Sequence, residues 1–320
     1  MTKLIAMFKE FKDSQVDQIK DLAHQYGYQV KMEDELLDTD DQDIAVIYGW
    51  SSDLTQERLE TMPTLKWIQK ESAGVDAIPL SFRQKEDLLI SNMSGIHAQP
   101  ISEHVFAYIL SHYRRMPQMA ASQAQGVWSP PDPNLFRSLD DKTILVYGTG
   151  NIGIRMAQIG AVLGSRLIGV NTNGRPIGGF DQCIAFGQDK EWACRADIII
   201  NAMPLTDLNR EYFDLDYFKT MKSSALFINI GRGASVKEAD LHQALSDKLI
   251  ESAYLDVFEN EPLSETSPLW QLDNVVITPH ITGTVEHFMQ ESFKIFFPNL
   301  QSFLAEGVLV RNQVDPQKGY

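Results

Sequence analysis

Short apolar runs and stretches of helical periodicity alternate along most of this chain. The runs KLIAMF (3–8), DIAVIYGW (43–50), LKWIQKES (65–72) and DLLISN (87–92) have the length and composition of strands. Segments such as DSQVDQIKDLAHQYG (13–27) and LTQERLETM (54–62) fill the gaps with helical spacing. A second series starts at Thr143 with TILVYG. It continues through RLIGVN (166–171), ADIIINAMP (196–204), ALFINIG (225–231), LIESAYLDVF (249–258) and NVVITPH (274–280). Strands alternating with helices predict parallel α/β sheets, and six strands in the second series are enough for a complete dinucleotide-binding sheet.

Between the two series, residues 99–125 carry unbroken helical periodicity and stop before the Pro-rich SPPDPN (129–134), which predicts a long helix crossing from one domain to the next. Residues 284–306 again read as a long helix, and VLVRNQVD (308–315) as a closing strand. If that last helix returns to the first domain, the domain is discontinuous: residues 1–98 with 285–320, around a dinucleotide-binding domain of 99–284. A chain of 320 residues exceeds what one core usually supports, so two domains are expected.

Composition narrows the class of protein. Hydrophobic residues make up 43% and charged residues 22%, with no apolar run of 18 residues, so no membrane span is expected. Lys9, Glu10, Lys12 and Asp13 interrupt the amino terminus where a signal peptide needs an apolar core. Cys183 and Cys194 have no partner Cys or His at metal spacing, which gives no zinc pattern and suits a reducing compartment; a cytoplasmic protein is expected. A net charge of −15 opposes binding to nucleic acid or an anionic membrane surface. A small anionic substrate would need a local basic site.

The strand TILVYG runs directly into Gly148, Thr149, Gly150, Asn151, Ile152 and Gly153, followed by a helical segment. In that context Gly148 permits a tight turn, Gly150 lets backbone approach a pyrophosphate, and Gly153 permits close helix–strand packing. The phosphate charge would sit at the helix N-terminus. The next strand ends at Asn171, where NAD-selective enzymes usually carry an acid for the ribose hydroxyls. Asn171, Thr172, Asn173 and Gly174 offer no charge and Arg175 a cation, so NADP or NAD is expected, with a lean to NADP.

Three ionisable residues stand just past strands of the second series: Arg232 in INIGRG, Glu261 in DVFENEP and His280 in ITPHITG. Singly, these read as a surface cation, a loop acid and a structural histidine. Together they fall where ligands sit in open α/β sheets.

The blocks ESAGVD (71–76), EHVFAYILSHYRR (103–115), GTGNIG, AMPLT (202–206), INIGRG, LDVFENEP (255–262) and TPHITG (278–283) follow one another in an order that resembles the D-isomer-specific 2-hydroxyacid dehydrogenases. The resemblance covers almost the whole chain. It implies a Rossmann domain plus a flavodoxin-like α/β domain, and an NAD(P)-dependent oxidoreductase acting on small 2-keto or D-2-hydroxy acids. By that resemblance Arg232 would hold the substrate carboxylate and polarise the carbonyl oxygen. His280 would be the proton donor in reduction and the base in oxidation. Glu261 would bond the other ring nitrogen, fixing the tautomer and favouring the imidazolium. Backbone amides around Ala73, Gly74 and Val75 would also bind the carboxylate, in a loop that SAG keeps small. Asp256 would contact the nicotinamide amide, a strand-end cap being its plainer alternative, and Pro204, Thr206 and Ile230 would line the cofactor cleft. Family members dimerise through the dinucleotide-binding domain. A homodimer is therefore implied, with Trp128 either packing in that interface or reaching a neighbouring active site.

A phosphorylated substrate calls for basic residues near the first-domain strand ends, where the chain has Gly49, Trp50, Ser51 and Ser52. Lys70, Arg114 or Arg115 could compensate, and little chain follows the last helix for a regulatory domain. A glyoxylate or hydroxypyruvate reductase is therefore preferred to a phosphoglycerate dehydrogenase. A corepressor-like nucleotide sensor would be expected to carry disordered tails, and an amino-acid dehydrogenase to use Lys chemistry in place of TPH.

Overall fold

The computed structural model describes residues 3–315, which contain twelve strands: β1 Lys3–Met7, β2 Tyr28–Met32, β3 Ile44–Tyr48, β4 Trp67–Gln69, β5 Leu89–Ser91, β6 Thr143–Tyr147, β7 Arg166–Asn171, β8 Gln182–Ala185, β9 Ile198–Asn201, β10 Leu226–Asn229, β11 Ser252–Leu255 and β12 Val275–Ile277. His97–Thr284 form one compact unit, and the described residues on either side of it form the other.

In the unit made of the chain's two ends, five parallel strands run in the order β2-β1-β3-β4-β5, the flavodoxin-like order. Parallel sheets covered on both faces favour solid apolar strands, and all five residues of β3, Ile44 to Tyr48, are buried. One face is covered by the helices Asp13–Gln25 and Phe288–Glu306, which bring Ile19, Ala23, Ile295, Phe296 and Leu300 onto Ile5, Met7, Tyr48 and Trp67. Phe296 is fully buried, with its ring centroid 4.6 Å from Tyr48 and 5.5 Å from Trp67. Pro298 stands inside that last helix without an amide to donate; the Lys294 carbonyl it leaves is met by Arg311 Nη1 at 3.4 Å.

His97–Thr284 hold seven parallel strands in the order β12-β11-β10-β9-β6-β7-β8. Counted from β6, this is the Rossmann order 3-2-1-4-5-6 with a seventh strand beyond the sixth. One face is packed by Ile101, Val105, Ile109, Met156 and Ala157, and the other by Phe213, Tyr217, Phe218, Leu241 and Leu245.

Four elements differ from the sequence expectation. The edge strands β2 (YQVKM) and β8 (QCIA) have too few buried positions to stand out as apolar runs. The crossing helix is two helices, Ala98–Tyr113 and Met116–Ala124, divided at Arg115, whose φ is 56°. Pro117 cannot donate to the Tyr113 carbonyl, and Arg137 N takes that carbonyl at 3.1 Å instead. Finally, 308–315 makes no strand: Gln313 forms one isolated bridge with Ser91, and Val314 N donates to Ile90 O at 2.8 Å.

Candidate active site

One row of register partners organises this unit. Val170 pairs with Tyr147, Tyr147 with Asn201, Asn201 with Asn229, Asn229 with Leu255 and Leu255 with Ile277. The chain leaves the sheet at that row on strand after strand. Gly148 and Asn171 follow it immediately, and Pro204, Arg232 and His280 each lie three residues beyond it.

At β6 the turn is dictated by sterics. Gly148 has φ 97°, and a Cβ on Gly153 would lie 2.0 Å from the Gly148 carbonyl oxygen. Gly150 differs, because a Cβ there would meet nothing within 4 Å. The fold therefore has no use for glycine at 150; open space beside backbone and a helix first turn suit the approach of a pyrophosphate. Asn151, Ile152 and Gly153 form that first turn, in the helix Asn151–Val162. Thr149 is buried and accepts from Asn171 Nδ2 at 3.3 Å. Asn171 Nδ2 also donates to the Arg175 carbonyl at 2.9 Å, and Asn171 Oδ1 accepts from Asn173 N at 3.3 Å. These bonds fold 171–175 into a compact loop that leaves Thr172 and Arg175 exposed.

Past β9 and β10, buried asparagines replace the lost ladder bonds. Asn201 Nδ2 donates to Asn229 Oδ1 at 2.9 Å and to Ser235 Oγ at 2.7 Å, and Ser235 Oγ donates to the Arg232 carbonyl at 2.6 Å. Arg232 is thus held by its backbone, while its Nη1 donates to Gly231 O at 2.8 Å. Ile230 is buried beside it. Asn209 Oδ1 accepts from Thr206 N at 2.7 Å and Asn209 Nδ2 donates to Pro204 O at 2.8 Å, which shapes the loop carrying the exposed Pro204 and Thr206. Sequence reasoning passed over Asn201, Asn209, Asn229 and Ser235. A polar residue closing an apolar run was the available signal for Asn201 and Asn229.

His280 and Glu261 are brought together. Nδ1 of His280 lies 2.7 Å from Glu261 Oε2, and Glu261 Oε1 accepts from Phe258 N at 3.0 Å. The side chains keep 52% and 37% of their exposure. An ionised carboxylate only accepts, so Nδ1 carries the hydrogen and Nε2 faces other partners. Asp256, by contrast, is 1% exposed. Its Oδ1 accepts from Thr278 Oγ1 at 2.6 Å and Ile281 N at 2.9 Å; its Oδ2 accepts from Thr282 Oγ1 at 2.6 Å and Thr282 N at 3.1 Å. Burial alone would raise this carboxyl, but the four hydrogen bonds outweigh it and hold the group below the usual carboxylate range. These four bonds cap the end of β11 and fix the orientation of the carboxylate.

In the other unit, Ala73, Gly74 and Val75 lie just past β4. The carbonyls of Ser72, Ala73 and Gly74 accept from Met93 N at 3.0 Å, Asn92 Nδ2 at 2.8 Å and Ser72 Oγ at 2.8 Å. Among the described residues, the amides of Ala73, Gly74 and Val75 find no acceptor, which is the arrangement of an anion-binding loop.

The family model for the NAD-binding domain of D-isomer specific 2-hydroxyacid dehydrogenases matches residues 106–282. Glyoxylate/hydroxypyruvate reductase B of Salmonella paratyphi A is 30% identical over 85% of this chain and 84% of its own length. Among solved structures, a phosphoglycerate dehydrogenase from Lactobacillus plantarum is 38% identical with a TM-score of 0.58, covering 98% of this chain and 100% of that one. An NADPH-dependent glyoxylate/hydroxypyruvate reductase from Sinorhizobium meliloti, solved with NADP and sulfate, is 25% identical with a TM-score of 0.81, covering 99% and 100%. The fold and the strand-end row define a dinucleotide-binding oxidoreductase. The chain belongs to the D-isomer specific 2-hydroxyacid dehydrogenase family, and is an NAD(P)-dependent enzyme acting on CH–OH groups. No helix among the described residues is long and apolar enough to cross a membrane.

The two glycines should separate by experiment. Gly150→Val is expected to abolish nucleotide binding by calorimetry while leaving the unfolding midpoint essentially unchanged. Gly153→Ala should cost stability, about 1–3 kcal/mol by urea unfolding, because a backbone oxygen must move. Unchanged nucleotide affinity in Gly150→Val would remove the turn from the binding site.

Proposed function

We propose that this enzyme reduces a small 2-keto acid, of the glyoxylate or hydroxypyruvate kind, to its D-2-hydroxy acid, with NADPH favoured over NADH. The observation that carries the reading is the 2.7 Å contact between His280 Nδ1 and Glu261, past the ends of β12 and β11, in the sheet whose next strand, β10, leads to Arg232.

The bound nicotinamide cofactor supplies the hydride in reduction and accepts it in oxidation. Cofactor would be held by the Gly148–Gly153 turn, by Asn171, Thr172 and Arg175 at the ribose, and by Pro204, Thr206 and Ile230 along the cleft. Arg232 presents a planar cation that matches the substrate carboxylate and stays charged at any working pH. In the other unit, the amides of Ala73, Gly74 and Val75 are donors suited to an anionic group such as a carboxylate. His280 delivers a proton from Nε2 to the substrate oxygen as the alkoxide forms, and takes it back in oxidation. Glu261 keeps the hydrogen on Nδ1, so that Nε2 is always the exchanging atom.

Three observations support the NADPH preference. No acid stands at the end of β7, the bonds of Asn171 direct it inward to its own loop, and the exposed Arg175 offers a charge-assisted partner to a 2′-phosphate. The relatedness to a phosphoglycerate dehydrogenase at 38% identity favours a second reading, a phosphorylated keto acid. Against it, each candidate cation is already engaged. Lys70 is buried 2.8 Å from Glu71, Arg115 is ion-paired to Glu251 at 3.7 Å, and Arg114 lies over the Phe136 ring at 5.1 Å.

We further propose a cytoplasmic homodimer formed through the dinucleotide-binding domain, where the two free cysteines stay reduced. Trp128 is 97% exposed beside the half-exposed Val127, an apolar surface suited to a second copy.

Turnover with NADPH and NADH against glyoxylate, hydroxypyruvate and its 3-phosphate tests substrate and cofactor together. NADPH with an unphosphorylated acid should give the highest kcat/KM. A preference of more than about tenfold for NADH, or for the phosphorylated acid, would reverse the corresponding assignment.

His280→Ala should lower kcat by roughly 10²–10⁴ with cofactor affinity retained, the usual scale for losing a general acid. Glu261→Gln should cost less. Near-normal turnover without His280, normalised to folded protein, would overturn its role.

Light scattering on the eluting protein should give the mass of two chains, and Trp128→Asp should shift it toward one. A wild-type protein that elutes as a single chain would exclude the dimer.

A further inference from the structure

The dinucleotide-binding unit buries a carboxylate that the proposed chemistry does not use. Asp189 is 0% exposed. Its oxygens accept from Tyr212 Oη at 2.7 and 2.8 Å, from Tyr147 Oη at 2.5 Å and from Gly187 N at 2.9 Å. The donors that hold it are thus two phenols and one backbone amide. Because a carboxylate only accepts, Tyr147 gives its one hydrogen to Asp189 and must accept from Tyr217 Oη. Burial above all, with Asp189 beside them, raises the phenols of Tyr147 and Tyr212 above the ordinary tyrosine value, so both remain donors across the working range. Tyr147 and Tyr217 otherwise pack in the apolar core that contains Phe213 and Phe227. Burying a charge there is costly, and apolar side chains of similar volume would serve stability as well or better.

What the carboxylate does achieve is a link between strand exits. Tyr147 ends β6 and leads directly into Gly148. Gly187, with φ 86°, turns the chain beyond β8, and Phe186 before it gives its amide to the Asn171 carbonyl at 2.8 Å, at the root of the 171–175 loop. Tyr212 lies at the far end of the loop that leaves β9. Its amide donates to Asn209 O at 3.3 Å, and the Asn209 side chain holds Pro204 and Thr206. The Tyr212 ring lies against Phe186 with centroids 4.4 Å apart. One buried carboxylate therefore ties together the exits of β6, β8 and β9.

We propose that Asp189 is a positioning residue for the adenosine half of the cofactor: by tying Tyr147, Gly187 and Tyr212 it sets the spacing of the Gly148–Gly153 turn, the 171–175 loop and the loop of Pro204 and Thr206. The inference rests on the reading that the cofactor lies along these loops. Asp189 is buried and acts through them, so its loss is felt in nucleotide affinity and leaves the proton transfer at His280 in place.

The test uses the full chain and calorimetry with NADPH and with adenosine 2′,5′-bisphosphate, well below every variant's unfolding midpoint. It adds kcat at saturating NADPH with the keto acid turned over fastest in the panel. Asp189→Leu, which fills the site without a charge, should raise the Kd of both nucleotides about tenfold or more, by factors that agree within about twofold, while kcat stays within about twofold of wild type. Tyr212→Phe keeps the ring on Phe186 and removes one donor. It should raise both Kd values about threefold or more, and it decides the matter alone if Asp189→Leu does not fold. Tyr217→Phe controls for softening of the core, because it removes a buried hydroxyl that ties none of the three loops. Whatever it does to the unfolding midpoint, both Kd values should stay within about twofold. Wild-type affinity in Tyr212→Phe overturns the inference. So does a loss confined to NADPH and not shared by the bisphosphate, or an equal loss in Tyr217→Phe. These outcomes leave the cofactor reading standing wherever Gly150→Val abolishes binding; unchanged affinity in Gly150→Val removes that reading and this inference with it.

Discussion

The constraint on which the rest depends is the register of the parallel ladder in His97–Thr284. Parallel strands cannot turn back directly, so each must leave the sheet at the same edge and return by a crossover. Because Tyr147, Asn201, Asn229, Leu255 and Ile277 stand in one row, the loops beyond these strands all begin along one line. A one-residue slip of β10 or β12 would move Arg232 or His280 by a full strand step, about 3.3 Å, and turn its strand's side chains to the opposite faces. The spacing of these strand-end residues is a property of the sheet before it is a property of any loop.

Leaving the sheet has a cost that the structure meets in a consistent way. Where the ladder stops, amides and carbonyls lose their partners in a place closed to water. Asn201, Asn209, Asn229, Ser235 and Asp256 are all at least nine-tenths buried and supply the missing bonds. The loops that carry Pro204, Thr206, Arg232 and His280 are thereby held by side chains anchored in the core. In the other unit, Ser72 and Asn92 do the same for the loop after β4, tying up its carbonyls and leaving its amides as donors. Functional positions sit on irregular backbone, but that backbone is fixed by buried polar bonds.

Much of this was legible in the order of residues. Both sheets, the glycine turn and the residues past the strands can be read from apolar run length and from which residue types interrupt the runs. The missed elements share a physical pattern. The edge strands β2 and β8 bury little, so the hydrophobic signal used to find strands is weak there. The break at Arg115 depends on Pro117 removing an amide and on Arg137, far along the chain, taking the carbonyl left behind.

The sequence by itself determined the fold class, the glycine turn between β6 and the helix that follows it, and the set of ionisable groups at the strand ends, because these depend on local periodicity and on chemistry each residue carries alone. Only the tertiary structure decided which groups hold Asp256. Nothing in the neighbours of a lone acid after a strand shows which groups it will bond. Its partners are Thr278, Ile281 and Thr282, more than twenty residues away, which reach it only once β11 and β12 lie side by side. Glu261 and His280 likewise meet across nineteen positions. Contacts between residues distant in sequence have no local signature, and the direction in which a polar side chain points is set by them.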